Sequence, residues 1–159
     1  LHDALPILGV KIDSDEFISD VELKEPMLLL AYPGHDLINK REIFPTDIKD
    51  ESLILTETGC SYRAAFERIL KDNGIKPNIT LETGSVQAIK QFTMSGLGIT
   101  FLPEIAVKDE VKAGKLIPLN WAGPDLNIIS QVIYHKDKWI SPALKEFISL
   151  SHRFLKQNL

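Results

Sequence analysis

The chain predicts an α/β fold with a mostly parallel sheet flanked by helices, and three observations carry that expectation. Strand-like and helix-like segments alternate along most of the sequence, the order that lays helices over both faces of a sheet. The run Met27-Leu28-Leu29-Leu30-Ala31-Tyr32 is uninterrupted and apolar, and Pro33-Gly34 closes it, as in a strand covered on both sides. Ser95-Gly96-Leu97-Gly98-Ile99-Thr100-Phe101-Leu102-Pro103-Glu104 reads as a helix end, a glycine-bounded buried strand and a helix-starting proline.

The elements follow in order. After the apolar strand at 27–32, Ser52 to Thr56 is a second short strand. From Ser61 to Asn73 the apolar positions Tyr62, Ala65, Phe66, Ile69 and Leu70 keep helical spacing on one face. Gly74 caps that helix, and Pro77 blocks its continuation. Ile79 to Glu82 is a strand. Ser85 is a side-chain cap for a helix through Ser95, with Val86, Ile89 and Thr93 on one side and Gly96 as its stop. Ile99 to Leu102 is buried strand, and Pro103 opens a short helix. Gly114 to Leu119 supplies a turn and an edge strand that tolerates Pro118. Asn127 to Tyr134 is a longer strand, and Ser141-Pro142 begins a last helix that buries Leu144, Phe147, Ile148 and Leu155.

The 159 residues suffice for one domain or two small lobes. Apolar content of 44% and charged content of 25% are ordinary for a globular protein, and no apolar stretch reaches membrane-spanning length. No basic, apolar and small-residue leader is read at the start. A single cysteine, Cys60, suits a reducing compartment, so the cytoplasm is expected. The net charge is −4, and basic residues alternate with acids, as in Lys108-Asp109-Glu110-Val111-Lys112. Such a surface lacks the basic stripe that grips a polyanion.

Binding chemistry is expected where a strand end turns into a helix, at Thr56-Glu57-Thr58-Gly59-Cys60-Ser61-Tyr62-Arg63. Unpaired amides at a helix start favour a carboxylate or phosphate. Thr58, Gly59, Cys60, Ser61 and Arg63 are the candidate contacts, with Arg63 able to form a bidentate pair with an anion. The competing reading has Ser61 or Thr58 capping the helix and Arg63 pairing with Glu67 one turn on. Gly84 and Ser85 begin the next helix and border the same sheet edge, although plain capping explains them too. Cys60 lacks a sequence-adjacent base and reads as a small packing residue. Gly96-x-Gly98 leads from helix to strand, the reverse of a dinucleotide fingerprint. His35 is expected as a solvated loop residue. No His, Cys and carboxylate cluster has metal-ligand spacing, and no cofactor or metal is expected.

Met27 through Leu37, Glu57 through Arg63, Glu82 through Lys90, Gly96-Leu97-Gly98-Ile99 with Leu102-Pro103, and Gly114-Lys115-Leu116 together resemble the effector-binding domain of LysR-type transcriptional regulators. Five weak motifs in family order, from about Ile7 to Phe154, make the resemblance specific. It implies a two-lobed fold like the type 2 periplasmic binding proteins, with lobe one at 1–33 and 129–159 and lobe two at 34–128. Lobe one would be incomplete at its N-terminus. The chain would cross between lobes at Tyr32, Pro33 and Gly34 and again near Ile128 and Ile129, the hinge positions. The family's effector contacts often fall on the Thr58–Arg63 loop, and the match brings Gly9 to the list of candidate contacts. DNA binding would belong to an N-terminal winged helix-turn-helix outside this chain, and the parent protein would be a dimer or tetramer. Pro6 stands where the family has a small residue, so residues 1–6 carry no functional reading.

Three functions are therefore weighed. A ligand-sensing module binds a small, anionic metabolite and has no catalytic residues. A transporter's solute-binding protein uses the same fold but needs export. An enzyme on this scaffold needs a poised acid or base, for which Glu57 and Glu82 are the nearby carboxylates, and both can equally pair or cap at strand ends. The first is expected.

Overall fold

The computed structural model describes residues 7–8, 14–126 and 128–157, with side chains described for 14–20, 22–126 and 128–153. The chain divides into two compact units, Leu1–Glu25 with Asn127–Leu159, and Pro26–Leu126. The strand expected at the lobe boundary thus belongs wholly to the second unit, and Tyr32-Pro33-Gly34 follows it there.

In that second unit β3 (Met27–Ala31), β4 (Ser52–Leu55), β5 (Asn78–Glu82), β6 (Ile99–Pro103) and β7 (Ile117–Pro118) form one sheet in the order β5-β4-β6-β3-β7. β4 pairs in parallel with β5 and β6, whereas β3 is antiparallel to β6 and β7. Only β3 opposes the other strands. The parallel pairs are those joined through α1 (Ser61–Asp72) and α2 (Val86–Met94), since a helical crossover is what returns a chain to run the same way. α3 (Glu104–Lys112) follows β6, and two 3-10 turns, Asp36–Asn39 and Pro45–Ile48, fill the connection from β3 to β4.

The central strands bury both faces, as their apolar runs dictate. On one side Leu30, Ile54, Ile89, Leu102, Val107 and Leu116 form a closed cluster, with Tyr62 and Val86 packed against it. Elsewhere in the unit the Phe66 ring from α1 stacks on Phe101 of β6 at a centroid distance of 4.6 Å and 4° between planes. α1 ends as its sequence requires. Gly74 has φ of +70°, Gly74 N–H donates to Lys71 O, and Ile75 N–H donates to Leu70 O, the two bonds of a Schellman cap. Gly98 answers to space instead: a Cβ there would lie 2.2 Å from Ser52 O on β4.

The first unit holds β1 (Ile7–Leu8), β2 (Phe17–Lys24) and β8 (Ile129–His135), in the order β1-β8-β2. Both pairings are antiparallel, so the parallel expectation does not extend here. Sequence reasoning missed β1, which is two residues long, and also β2. Its register shifts between Ser19 and Val21, leaving Asp20 as the extra residue, and such a bulge breaks the alternation by which a strand is read. The displaced Asp20 carboxylate meets His152 Nε2 of α4 (Pro142–Gln157) at 2.8 Å. Ser141 caps α4 through its bond from Leu144 N–H, and Leu144 and Ile148 pack on Val132. Phe147 departs from expectation and is 45% exposed, with Leu150 beside it also exposed. The helix turns Leu144 and Ile148 inward, four residues apart, and Phe147 sits one position off that stripe. Leu155 lies outside the described side chains, and Gly9 outside the described residues.

Candidate functional site

β4 delivers the chain into the candidate loop, and the loop is held by side chains from its neighbours. Gly59 has φ of +100°, which a side chain would strain, and Cys60 N–H donates to Glu57 O to close the turn. Cys60 is the N-cap of α1 but makes no side-chain capping bond. The helix thus begins with backbone donors that no cap side chain occupies. α2 begins differently: Ser85 Oγ accepts from Ala88 N–H at 3.3 Å, and Thr83 Oγ1 accepts from Ser85 N–H at 3.2 Å. The plain capping reading of Ser85 is the one observed.

Arg63 is 7% exposed, and its guanidinium is committed within the fold. Nε donates to Glu67 Oε1 at 2.9 Å, and Nη1 lies 2.7 Å from Glu82 Oε2 while also donating to Thr56 O. Glu82 in turn uses its other oxygen on the loop: Oε1 accepts from Thr58 N–H at 3.0 Å and from Thr58 Oγ1 at 3.1 Å. One carboxylate at the end of β5 therefore binds both the helix arginine and the loop threonine. Burial draws the Arg63 pKa down, but the bonds to Glu82 and Glu67 outweigh it and the net shift is upward. The Arg63 bond, then the Thr58 amide, hold Glu82 below the usual carboxylate range. The Glu67 pair was legible from the i, i+4 spacing. The Glu82 pair was not, because it joins residues a whole crossover apart.

Beside the loop, burial and then the Cys60 thiol push the Tyr62 hydroxyl up to about 12, so it stays a neutral donor at physiological pH. The Glu57 carboxylate lies against Gly84, where a Cβ would stand 3.0 Å from Oε2. The fold thus gathers Glu57 and Gly84 at one sheet edge, and Thr58, Arg63 and Glu82 in one bonded network. Thr58, Ser85 and Gly84 are exposed, and Cys60 and Ser61 half-buried.

The positions expected as hinges are placed as follows. Tyr32-Pro33-Gly34-His35 is a tight turn closed by His35 N–H to Tyr32 O, with Gly34 at φ of +102°. Ile128 O accepts from Glu25 N–H at 2.9 Å, and Ile129 opens β8 opposite Lys24. His35 is not the solvated residue expected. It is 9% exposed, its Nδ1 accepts from Leu37 N–H at 3.2 Å, and its Nε2 faces Glu51 at 3.3 Å. Among the described residues no group of three or more His, Cys, Asp or Glu could hold a metal ion, and no helix is long and apolar enough to cross a membrane.

The fold is that of the effector-binding domains of LysR regulators. The effector-binding domain of QuiR in complex with shikimate superposes with a TM-score of 0.76 at 20% identity, covering 95% of this chain and 71% of that one. The Synechocystis CcmR regulatory domain in complex with 2-PG gives 0.80 at 24%, covering 94% and 72%. The chain belongs to the LysR substrate binding domain family, whose model matches residues 4–156. The HTH-type transcriptional regulator YwqM of Bacillus subtilis is 41% identical over 94% of this chain and 50% of its own length. The RuBisCO operon transcriptional regulator of Acidithiobacillus ferrooxidans is 32% identical over 92% of this chain and 48% of its own. The chain spans about half the length of these relatives.

Proposed function

We propose that this chain is the ligand-sensing part of a bacterial LysR-type transcription factor, acting in the cytoplasm on a small anionic metabolite. The observation that carries the reading is the start of α1, where backbone donors face no capping side chain in a chain whose family is matched almost end to end. The ligand's acidic group meets the first amides of α1, from Ser61 onward, and the Ser61 hydroxyl. Amides supply positive potential without a mobile charge. The two neighbours solved with shikimate and 2-PG support a small polar acid as the class. Gly84 and Ser85 border the site.

Sensing then requires that the ligand prefer one arrangement of the two units over another, since equal affinity for both shifts no population. The flexing points are where the chain passes between the units, at Glu25-Pro26 and again just before Ile128-Ile129, so the expected crossing at Tyr32-Pro33-Gly34 moves back to the start of β3. DNA is held by a helix-turn-helix outside this chain, in a dimer or tetramer of the whole regulator.

Isothermal titration with shikimate, 2-PG and a panel of other small organic acids is the test. Ser61→Asp supplies the control, because a carboxylate in the first turn favours the helix while occupying the place of the ligand's anion. Heat in the wild-type chain that vanishes in Ser61→Asp at unchanged or raised melting temperature supports the site. Undiminished affinity in Ser61→Asp removes it.

A further inference from the structure

We infer that Glu82 and Arg63 are positioning residues: they set the shape of the Thr58–Ser61 loop and do not themselves hold the ligand. The inference rests on the reading of this loop as the effector contact.

Consider what each donor and acceptor has left. Arg63 lies on the second helical position after Ser61, where it could reach an anion at the helix start. Its Nε is spent on Glu67 and Nη1 on Glu82 and Thr56 O, and Nη2 is carried on a side chain that these bonds fix in place and that is only 7% exposed. To turn towards a ligand it would strand the Thr56 carbonyl and leave two carboxylates without their cation, losses that a single anion does not restore. Glu82, for its part, could only repel an anion, yet it stands one hydrogen bond from the loop. Its two oxygens divide the work. One accepts both Thr58 donors, and the other fixes the guanidinium.

The geometry that results is a clamp closed on both sides of Glu57. Thr56 is held through its carbonyl by Arg63, and Thr58 through its amide and hydroxyl by Glu82. The positive φ at Gly59 and the uncapped start of α1 come next along the chain, directly beyond the held Thr58. Holding the loop before a ligand arrives removes ordering cost from binding. The role is distinct from packing, because Glu82 is an exposed strand-end residue that no core contact requires.

Amide hydrogen exchange on the full 159-residue chain tests this, with peptides covering 56–62 compared against peptides from β6 and α2. In Glu82→Ala the loop amides should exchange at least about tenfold faster, the equivalent of losing one or two net hydrogen bonds, with β6 and α2 unchanged. Glu82→Gln should restore most of the protection, because its amide oxygen still accepts from Thr58. In the wild-type chain, loop exchange corrected for intrinsic rates should accelerate as acid protonates Glu82, and in Glu82→Gln that acceleration should be absent. Unchanged loop exchange in Glu82→Ala, a uniform rise across the unit, or no rescue by Gln overturns the inference. Should Glu82→Ala fail to fold, a flat wild-type acid profile overturns it equally. If the loop behaves as expected but no acid gives heat in the titration above, the sensing reading fails and the clamp stands.

Discussion

Lys90 Nζ lies 2.8 Å from Glu110 Oε1, joining α2 to α3 beneath the surface, and donates a second bond to Ala106 O at 3.0 Å. Lys90 is 5% exposed, and Glu110 Oε2 is buried without a hydrogen-bond partner. A pair so placed contributes little net stability but is costly to break singly. Lys90→Met should therefore destabilise the chain by about 3 kcal/mol, whereas Lys90→Met with Glu110→Leu should recover most of that loss. Urea midpoints of the two singles and the double decide it; additive losses would show that the carboxylate is not dependent on the ammonium.

Acid should unfold the chain through a short set of carboxylates. Glu110 is held below its ordinary pKa first by the Lys90 bond, Glu82 first by Arg63, and Asp47 first by the Lys40 bond at 2.8 Å. A lowered folded pKa contributes stability that is present above the unfolded value and lost as pH falls through the folded one. The urea midpoint should thus hold between pH 7 and about 5 and fall below about pH 4.3, the ordinary glutamate value. Glu110→Gln should start lower at pH 7 and fall less steeply. A variant slope as steep as the wild type would place the acid sensitivity elsewhere.

The stacked rings of Phe66 and Phe101 give a reporter as well as a core. Trp121 stands 6.0 Å from Phe66 at 60°, while Trp139, the only other tryptophan, is 77% exposed. Phe66 is fully buried on α1, so Phe66→Ala should cost about 4 kcal/mol. At low urea, Trp121 emission should shift to the red as water reaches the vacated space, over a constant Trp139 background. An unshifted spectrum with that stability loss would mean that the helix closes over the gap.

Much of the second unit was legible in the sequence because local rules and the fold agree there. The apolar run at 27–31 and the caps at Ser85 and Gly74 each act within a few residues. The failures share a cause. β2 was hidden because the Asp20 bulge interrupts its alternation, and its partner His152 is far along the chain. His35 looked solvated because its burial depends on Glu51 and Tyr32, with the Tyr32 ring 5.3 Å away edge-on. Likewise the Arg63 pair with Glu82 was not legible, because Glu82 enters its surroundings only once β5 pairs beside β4. Spacing reports what a residue could reach, and only pairing decides what it does reach.

The exposed face of α4 makes an assembly prediction. Phe147 and Leu150 are three residues apart, hence on one side of the helix, and both are open to solvent. Apolar surface of this kind associates when concentrated. The 159-residue chain should therefore scatter light as a weak, concentration-dependent oligomer. Phe147→Lys with Leu150→Glu should return it to a monomer with an unchanged melting temperature, because Leu144 and Ile148 on the inner stripe keep their contacts with Val132. A tight dimer that persists in that double variant would show that association runs through another surface, and a lowered melting temperature would show that the outer stripe is packed after all.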